Sequence, residues 1–281
     1  MSKYFYQKII IRWLLGYCIC LHFQTPETRG QSPFLEGAGL AGLALSDADF
    51  TLSGPHALFG NPAAMVYSER AGVGLFSTNS FLLKELQISG LAAVFPLAGS
   101  RFGLAIQHVG FSDFRDMRLQ FGYARRLLSN LSIGGSFHVQ NRRIAEYGTA
   151  TGINFSLGLI LELTDQLQVV SHWVNPLPNP SGPVNFPGRL SIGLTYQPAT
   201  AFRLSAAATQ RTDGPVEVQL GSYYLAQERL EWMAGINTRT GQLSFGLGYR
   251  ATRWTGRLAG RVHPQLGFSP GVEVTVEFGD K

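Results

Sequence analysis

The sequence predicts an all-β protein, a transmembrane antiparallel β-barrel of about fourteen strands with an N-terminal plug segment in its lumen. Only 15% of the 281 residues are charged, whereas 45% are apolar and 12% are aromatic. A typical globular protein carries about a quarter charged residues. Apolar and polar residues alternate through most of the chain, and the first thirty residues have the pattern of an export signal. Together these observations predict a surface that is solvated largely by lipid.

The N-terminus predicts a cleaved signal peptide at residues 1–30. Basic residues precede an uninterrupted apolar run, Trp13–Leu21, and a polar segment, Gln24–Gly30, follows it. The run is too short to span a bilayer as a helix. Both cysteines of the chain, Cys18 and Cys20, lie in this run. We therefore expect the mature protein to have neither a disulfide nor a cysteine metal site.

The net charge gives no support to nucleic-acid binding. The whole chain has 23 basic and 18 acidic residues, a net charge of +5. Four of the basic residues and one acidic residue lie within residues 1–30, so the remainder carries a net charge of +2. No basic stripe with interleaved aromatic residues is left, and such a stripe is typical of nucleic-acid binding.

Alternation with a period of two predicts the strands of the barrel. Met117, Leu119, Phe121 and Tyr123, for example, are separated by single polar or small residues. Strict alternation indicates strands with one apolar and one polar face, and 9–11 residues is roughly the length with which a tilted strand crosses a bilayer. Turn residues place the strands at 70–80, 86–95, 101–111, 117–127, 131–141, 151–163, 167–175, 189–197, 201–210, 216–225, 230–238, 242–250, 254–263 and 271–279.

The connections predict how the barrel is oriented. Tight turns alternate with connections that are mostly longer, among them Asn141–Ala150, Pro176–Gly188 and Pro264–Pro270. Transmembrane barrels have short periplasmic turns and longer outer loops, so an even strand count places both termini in the periplasm. Arg142 and Arg143 would then lie in an outer loop. There they could contact outer-membrane lipid and lipopolysaccharide, although charges on a solvated loop need no partner.

A soluble β-sandwich is the alternative fold, because alternation alone does not exclude it. Two features favour the barrel. The polar faces consist mostly of small polar residues, which suit a lumen, and the apolar faces often end in aromatic residues, which suit the two membrane interfaces. These aromatic residues are Tyr123, Phe137, Trp173, Tyr196, Tyr224, Trp232, Tyr249, Trp254 and Phe278.

The residues between the signal and the first strand differ from the rest of the chain. Residues 31–68 are rich in glycine and alanine, lack the period of two and carry Asp47 and Asp49 among apolar residues. We interpret them as a plug in the lumen of a barrel formed by residues 69–281, since a wide barrel otherwise encloses water. A periplasmic tail is the alternative. Gly37, Gly39 and Gly42 match a dinucleotide-binding pattern, but no strand precedes them, so close packing explains them better.

Charged residues near the C-terminus predict a charge ladder in the lumen. Arg253, Arg257 and Arg261 share one face of the thirteenth strand, and Glu273 and Glu277 share one face of the fourteenth. Opposite charges on antiparallel neighbours can pair across the strands. The ladder could simply neutralise buried charge, or it could select a solute or receive the plug. The first interpretation is favoured because buried ionisable groups must be paired in any case.

The sequence predicts no metal site, no cofactor and no enzymatic activity. The histidines are scattered and lack the spacing of metal ligands. Ser136 and His138 form the best local pair for a hydrolase that modifies lipids. Serine is common on every polar face, however, so the pair alone does not indicate catalysis.

The plug segment resembles the N-terminal region of the PorV/PorQ group of outer-membrane proteins, which belong to a wider FadL-like class. Two stretches carry the resemblance: a glycine- and alanine-rich stretch that ends in an acidic residue, and a following Asn-Pro-Ala motif. The turn at 196–204 is also similar to the periplasmic turns of that class. The matching plug residues are Gly39, Gly42, Asp47, Asn61, Pro62 and Ala63.

The resemblance implies a 14-stranded outer-membrane barrel whose N-terminal segment enters the lumen, with Asn61, Pro62 and Ala63 fixing its exit toward the first strand. It also implies a role in type IX secretion or surface attachment through protein partners, either secretion-system proteins or exported cargo. Transport of small hydrophobic compounds, as in the FadL-like class, is the alternative. In that case the plug would be a movable hatch, and the residues lining the ligand path would be Phe50, Leu52, Leu58 and Phe59.

Overall fold

The computed structural model describes residues 34–177, 187–212 and 214–279, and the signal peptide predicted at residues 1–30 lies outside them. Fourteen strands in this part of the chain form a closed antiparallel barrel, in which consecutive strands pair and β1 pairs with β14. The strands are β1 Ala71–Asn79, β2 Gln87–Leu97, β3 Ser100–Gly110, β4 Phe114–Leu128, β5 Leu131–Ile144, β6 Gly148–Glu162, β7 Leu167–Val174, β8 Arg189–Ala199, β9 Phe202–Arg211, β10 Glu217–Ala226, β11 Leu230–Asn237, β12 Gln242–Arg250, β13 Trp254–His263 and β14 Gly267–Phe278.

The predicted fold class is therefore confirmed, and a sandwich is excluded because the sheet closes on itself. The two faces of each strand follow the alternation of the sequence. In β4, Leu119 and Phe121 point outward and are about half exposed, whereas Gln120 between them is 1% exposed and points into the lumen. The outward face of the barrel is thus the apolar one, as a lipid-facing wall requires. Within the described residues, no helix is long and apolar enough to cross a membrane.

The prediction of long outer loops is wrong at two of the three places. Most of Asn141–Ala150 and Pro264–Pro270 is strand, because β5 runs to Ile144, β6 begins at Gly148 and β14 begins at Gly267. The reason is that polar side chains support pairing beyond the apolar band. Asn141, for example, donates a hydrogen bond from Nδ2 to Thr151 Oγ1 at 2.9 Å. Polar residues in these two segments therefore extend hairpins instead of forming loops.

Arg142 is a further correction, because it does not lie in an outer loop. It belongs to β5 and forms an ion pair with Asp116 of β4 at 2.7 Å. The carboxylate of Asp116 is fully buried. Arg142 is thus paired with a partner inside the protein, whereas its neighbour Arg143 is exposed, and a contact of Arg143 with lipopolysaccharide stays a prediction.

The plug occupies the lumen as three short helical pieces joined by irregular chain. They are helix α1, Gly39–Ala44, and the 3-10 helices Pro55–Leu58 and Pro62–Tyr67. Helix α1 contacts β11–β14, the first 3-10 helix contacts β1–β3, and the second contacts β3–β6. Almost every residue from 34 to 65 is buried. The plug therefore touches most of the circumference of the barrel, and the apolar core of the protein lies between plug and wall.

This core is built from large plug side chains that face glycines of the wall. Leu58 and Met65 are at most 1% exposed. Leu58 and Met65 cover the inward sides of Gly103 and Gly122. A side chain at either glycine would collide with these two residues. Small residues on the wall thus make room for large residues on the plug, as close packing of a protein interior requires.

Arginine placed on the outward face tests whether the wall faces lipid. Leu91 lies near the centre of β2 and Leu97 at its end, and both are exposed. We expect Leu91→Arg to lower the free energy of unfolding in lipid vesicles by about 2–4 kcal/mol and Leu97→Arg by about 0–1 kcal/mol. Urea titration of both variants in the same vesicles measures the difference. Equal effects at the two positions would contradict a membrane-spanning wall.

Candidate functional site

The contacts between plug and wall form the candidate functional site, because they hold the plug in the lumen. The Asn-Pro-Ala motif illustrates how the sequence builds them. Asn61 caps the second 3-10 helix and accepts a hydrogen bond from the backbone N–H of Ala63 at 3.1 Å, while Pro62 occupies the first turn. Gly134 and Gly158 of the wall lie so close to the motif that neither has room for a side chain. The motif therefore fixes the segment that leads out of the lumen into β1.

The glycines of the plug are explained by close packing. Gly39 has a φ of +64°, a conformation that favours glycine, and a side chain there would collide with His56 and Glu273. A side chain on Gly42 would lie 3.0 Å from the backbone of Gly37. A side chain on Gly37 would in turn collide with Asp47. Glycine therefore lets the plug pack closely against itself at Gly37 and Gly42 and against Glu273 of the wall at Gly39.

Glu273 of β14 is the central contact between wall and plug. Its side chain is fully buried, and Oε2 accepts a hydrogen bond from the backbone N–H of Leu40 at 2.7 Å. The same oxygen lies 3.1 Å from Nδ1 of His56. On the wall, Nη1 of Arg257 donates to Oε1 of Glu273 at 2.6 Å. One carboxylate thus ties helix α1 and the first 3-10 helix to β13.

Glu231 of β11 continues this network, and the sequence analysis did not identify it. Its buried carboxylate accepts hydrogen bonds from Nε of Arg257 at 2.6 Å and from Nη2 of Arg250 at 2.7 Å. The hydroxyl of Tyr223 donates to the same carboxylate at 3.1 Å. The signal available in the sequence was a single acidic residue between Leu230 and Trp232, on the polar face of an otherwise apolar strand.

The predicted ladder of five charges takes a different form in the structure. Arg257 and Glu273 are register partners and pair across the strands. Arg261 instead turns to the plug, where Nη2 donates to Oδ2 of Asp47 at 2.8 Å. Glu277 is half exposed and lies 3.9 Å from Arg70, and the carbonyl of Arg253 accepts a hydrogen bond from the backbone N–H of Glu277. Two of the five residues, Arg261 and Glu273, thus contact the plug.

Two further carboxylates of the plug bind arginines on the other side of the barrel. Glu36 Oε2 accepts from Arg189 and from Arg211, each at 2.6 Å. Asp49 Oδ2 accepts from Arg203 at 3.1 Å. Burial alone would raise the pKa of Glu36, but the charges of the two arginines outweigh burial and hold it well below its usual value. The sequence alone does not reveal the role of Glu36, because its partners lie more than 150 residues away.

Ser136 and His138 lie together on the lumen face of β5. Oγ of Ser136 is 2.6 Å from Nε2 of His138, and Nε2 of Gln120 is 3.2 Å from its Nδ1. Both residues are at most 5% exposed. In the described part of the chain the hydrogen-bond partners of His138 are neutral, whereas the Ser-His-Asp arrangement uses a carboxylate to orient the histidine.

A cavity of about 440 Å³ opens in the wall where β12, β13, β14 and β1 meet. Its lining is almost entirely apolar on the outward side, and on the inward side it reaches Gly271, against which Leu40 of the plug packs. The lining residues are Ser77, Thr78, Asn79, Phe245, Leu247, Leu258, Ala259, Phe268, Pro270, Gly271 and Val272.

The four residues predicted to line a ligand path all lie between plug and wall, and their role stays a prediction. Phe50, Leu58 and Phe59 are buried in the core, and Leu52 packs against it. None of the four lines the wall cavity. The sequence identified them as apolar plug residues, but it could not show that they face the wall of a filled lumen.

Comparison with known proteins adds a structural likeness. No protein-family model matches the chain, and no curated protein matches it in sequence. The structure resembles a FadL homologue of Pseudomonas aeruginosa, with a TM-score of 0.65 and 12% identity over 88% of this chain and 99% of that chain. It also resembles the toluene transporter TodX of Pseudomonas putida, with a TM-score of 0.67 and 13% identity over 88% of this chain and 100% of that chain.

The chain has the FadL-type barrel fold. At such low identities the likeness shows the fold alone. A third barrel, the outer membrane protein Omp33 of Acinetobacter baumannii, is more distant, with a TM-score of 0.53 and 9% identity over 74% of this chain and 98% of that chain. The fold implied by the sequence resemblance is confirmed, whereas membership of the PorV/PorQ group stays a prediction.

The network around Glu273 predicts a strong effect of removing one charge. Glu273→Gln removes a negative charge that compensates Arg257, and it weakens the hydrogen bond from the backbone N–H of Leu40. We therefore expect the free energy that keeps the plug closed to fall by about 3 kcal/mol. Hydrogen exchange of the peptide amides in helix α1, followed by mass spectrometry in detergent, measures this loss. Glu277→Gln on the same strand is the control and should change exchange by less than about 0.5 kcal/mol. Equal exchange rates in both variants would contradict the assignment of Glu273 as the central contact between wall and plug.

The lowered pKa of Glu36 predicts how the stability of the closed plug depends on pH. Because its pKa is lowered in the folded state, the ionised carboxylate stabilises the plug above the unfolded pKa of about 4.3, and this contribution is lost as the pH falls through the lower folded value. We expect exchange of residues 34–38 to stay slow from pH 8 to 5 after correction for the intrinsic rate. Glu36→Gln should make exchange faster at pH 7, by an amount that corresponds to a loss of about 3 kcal/mol in the free energy that keeps the plug closed. Slow exchange in this variant would show that the ion pairs do not hold the plug.

Proposed function

We propose that this protein lies in the outer membrane and admits small hydrophobic compounds through its wall and lumen, with the plug acting as a hatch. The observation that carries the proposal is the plug itself. It closes the lumen through side-chain contacts to many strands, including Asp47–Arg261, Asp49–Arg203 and Glu273–Leu40. The likeness to a toluene transporter supports the same class of function.

The wall cavity supports a hydrophobic solute. Its outward side is formed by lipid-facing residues such as Leu258 and Val272, which are more than half exposed. Its inward side ends at Gly271, beside Leu40 of helix α1. A compound dissolved in the membrane would therefore meet an apolar cavity on the wall, at strands that helix α1 contacts from the inside.

The ion pairs suit a hatch that rests closed. Separating a buried carboxylate from its arginine costs about 3–5 kcal/mol when one partner is left uncompensated. Several such pairs together keep the lumen shut against ions and water. Their partners are side chains, so the pairs can re-form after the plug has moved.

A role in type IX secretion or surface attachment is the second proposal. It rests on the plug signature, Gly39 to Ala64, which resembles that of the PorV/PorQ group. In this role the barrel would act through secretion-system proteins or exported cargo, and the plug would have no need to move. Affinity purification from native membranes tests it: recovery of secretion components or cargo supports the proposal, and recovery of the barrel alone contradicts it.

A reversible crosslink tests the hatch. The hydroxyl oxygens of Ser46 in the plug and Ser244 in β12 are 3.0 Å apart, so cysteines at both positions can form a disulfide. We expect oxidised Ser46→Cys/Ser244→Cys to reduce the initial rate of toluene uptake by intact cells at least tenfold, and a reductant to restore it.

Two controls make this experiment decisive. The single variant Ser46→Cys keeps the thiol but cannot form the crosslink, so it should transport toluene normally under oxidising conditions. Mass spectrometry of the digested barrel measures the fraction that is crosslinked. Unchanged toluene uptake by a fully crosslinked barrel would contradict a moving plug.

A further inference from the structure

The wall from β3 to β7 carries most of the buried neutral polar wall residues whose hydrogen bonds are incomplete among the described residues. Five of them are at most 6% exposed. In each, at least one polar atom has no hydrogen-bond partner among the described residues. These atoms are Oε1 of Gln107, Gln120 and Gln140, Oδ1 of Asn154, and both ring nitrogens of His172.

The five side chains form one surface. Gln120, His138 and Asn154 are register partners on β4, β5 and β6, so they lie side by side. Gln107 and Gln140 are both register partners of Arg118 in β4, one from each neighbouring strand. His172 of β7 is the register partner of Gly158, which lies four residues after Asn154 on β6. We call these five residues, Gln107, Gln120, Gln140, Asn154 and His172, the polar sector.

The plug faces the polar sector with an apolar and aromatic surface. The ring of Phe50 lies 5.9 Å from the ring of His172. Phe34 packs under Arg118, and Cζ of the guanidinium lies 4.2 Å from the centroid of the Phe34 ring. The carbonyl of Leu35, next to Phe34, accepts a hydrogen bond from Gln107. The seam between plug and wall is therefore amphipathic, with hydrogen-bonding groups on the wall and aromatic rings on the plug.

The charged residues beside the seam have partners. Asp116 binds Arg142 and also accepts two hydrogen bonds from Nε2 of Gln140. Glu36 binds Arg189 and Arg211, and Arg118 interacts electrostatically with both Glu36 and Asp116. A charged solute would have to displace these partners, and it would have to lose its hydration on entering the seam.

From these contacts we infer that the solute is a small uncharged compound with a hydroxyl or carbonyl group on an aromatic body, and that it passes along the polar sector. This inference rests on the proposed transport function and narrows its substrate class. A hydroxyl can donate to an amide oxygen of the sector and accept from the imidazole of His172. A hydrocarbon of the same shape offers neither bond, so it leaves the polar groups unsatisfied as it displaces the plug.

A matched pair of solutes tests the inference, because p-cresol is toluene with one added hydroxyl. Initial uptake of each labelled compound is measured in intact cells of a deletion strain that expresses the protein. We expect uptake of p-cresol to exceed that of toluene at equal concentration. The variant Asn154→Leu/His172→Phe should lower p-cresol uptake at least tenfold while it leaves toluene uptake unchanged or faster.

Thr275→Val is the control variant. Oγ1 of Thr275 is also buried without a partner, but Thr275 lies on β14, outside the polar sector. We expect uptake of both solutes by this variant to match that of the wild type. Migration of unheated samples in gel electrophoresis shows that each variant is folded.

The outcomes separate the inference from the function on which it rests. Equal uptake of the two solutes by the wild type, or an unchanged ratio in Asn154→Leu/His172→Phe, overturns the inference and leaves hydrophobic transport standing. Uptake of both solutes no faster than in the deletion strain overturns the transport function and the inference with it.

Discussion

Charge compensation inside the barrel is the constraint on which the rest of the structure depends. Water is largely excluded where plug and wall meet, so a carboxylate there must be matched by cations and N–H donors. Glu273 meets this demand with Arg257 on one side and with Leu40 and His56 on the other. The same carboxylate therefore satisfies the electrostatics of the wall and positions the plug.

The strand pattern could be predicted from the sequence because it is local. A residue between two lipid-facing neighbours points inward whatever the rest of the chain does, and this rule places Gln120 and Glu231 correctly. The lengths of the hairpins were harder to predict from the sequence. The extension of β5 and β6 beyond the apolar band depends on pairs such as Asn141–Thr151, which form only once the register is fixed.

The site could be predicted only in part, because its contacts join residues far apart in the chain. The sequence suggested that Arg257 and Glu273 pair, since their strands are neighbours. It did not show that Arg261 would bind Asp47, 214 residues away, in place of a neighbouring strand. Nor did it identify Glu36, whose partners Arg189 and Arg211 lie side by side in the β8–β9 hairpin, more than 150 residues further along the chain. The glycines of the plug were attributed to close packing, but the residues they pack against, His56 and Glu273, appear only in three dimensions.

The closure of β1 on β14 has a consequence for cooperativity. The plug contributes no strand to the sheet, and the wall keeps its complete ladder of backbone hydrogen bonds whether or not the plug is in place. Apart from the chain that leads into β1, plug and wall are held together by the apolar core and by hydrogen bonds and ion pairs in which at least one partner is a side chain. Movement of the plug would therefore break these contacts but no strand pairing, so its free-energy cost would lie below that of global unfolding.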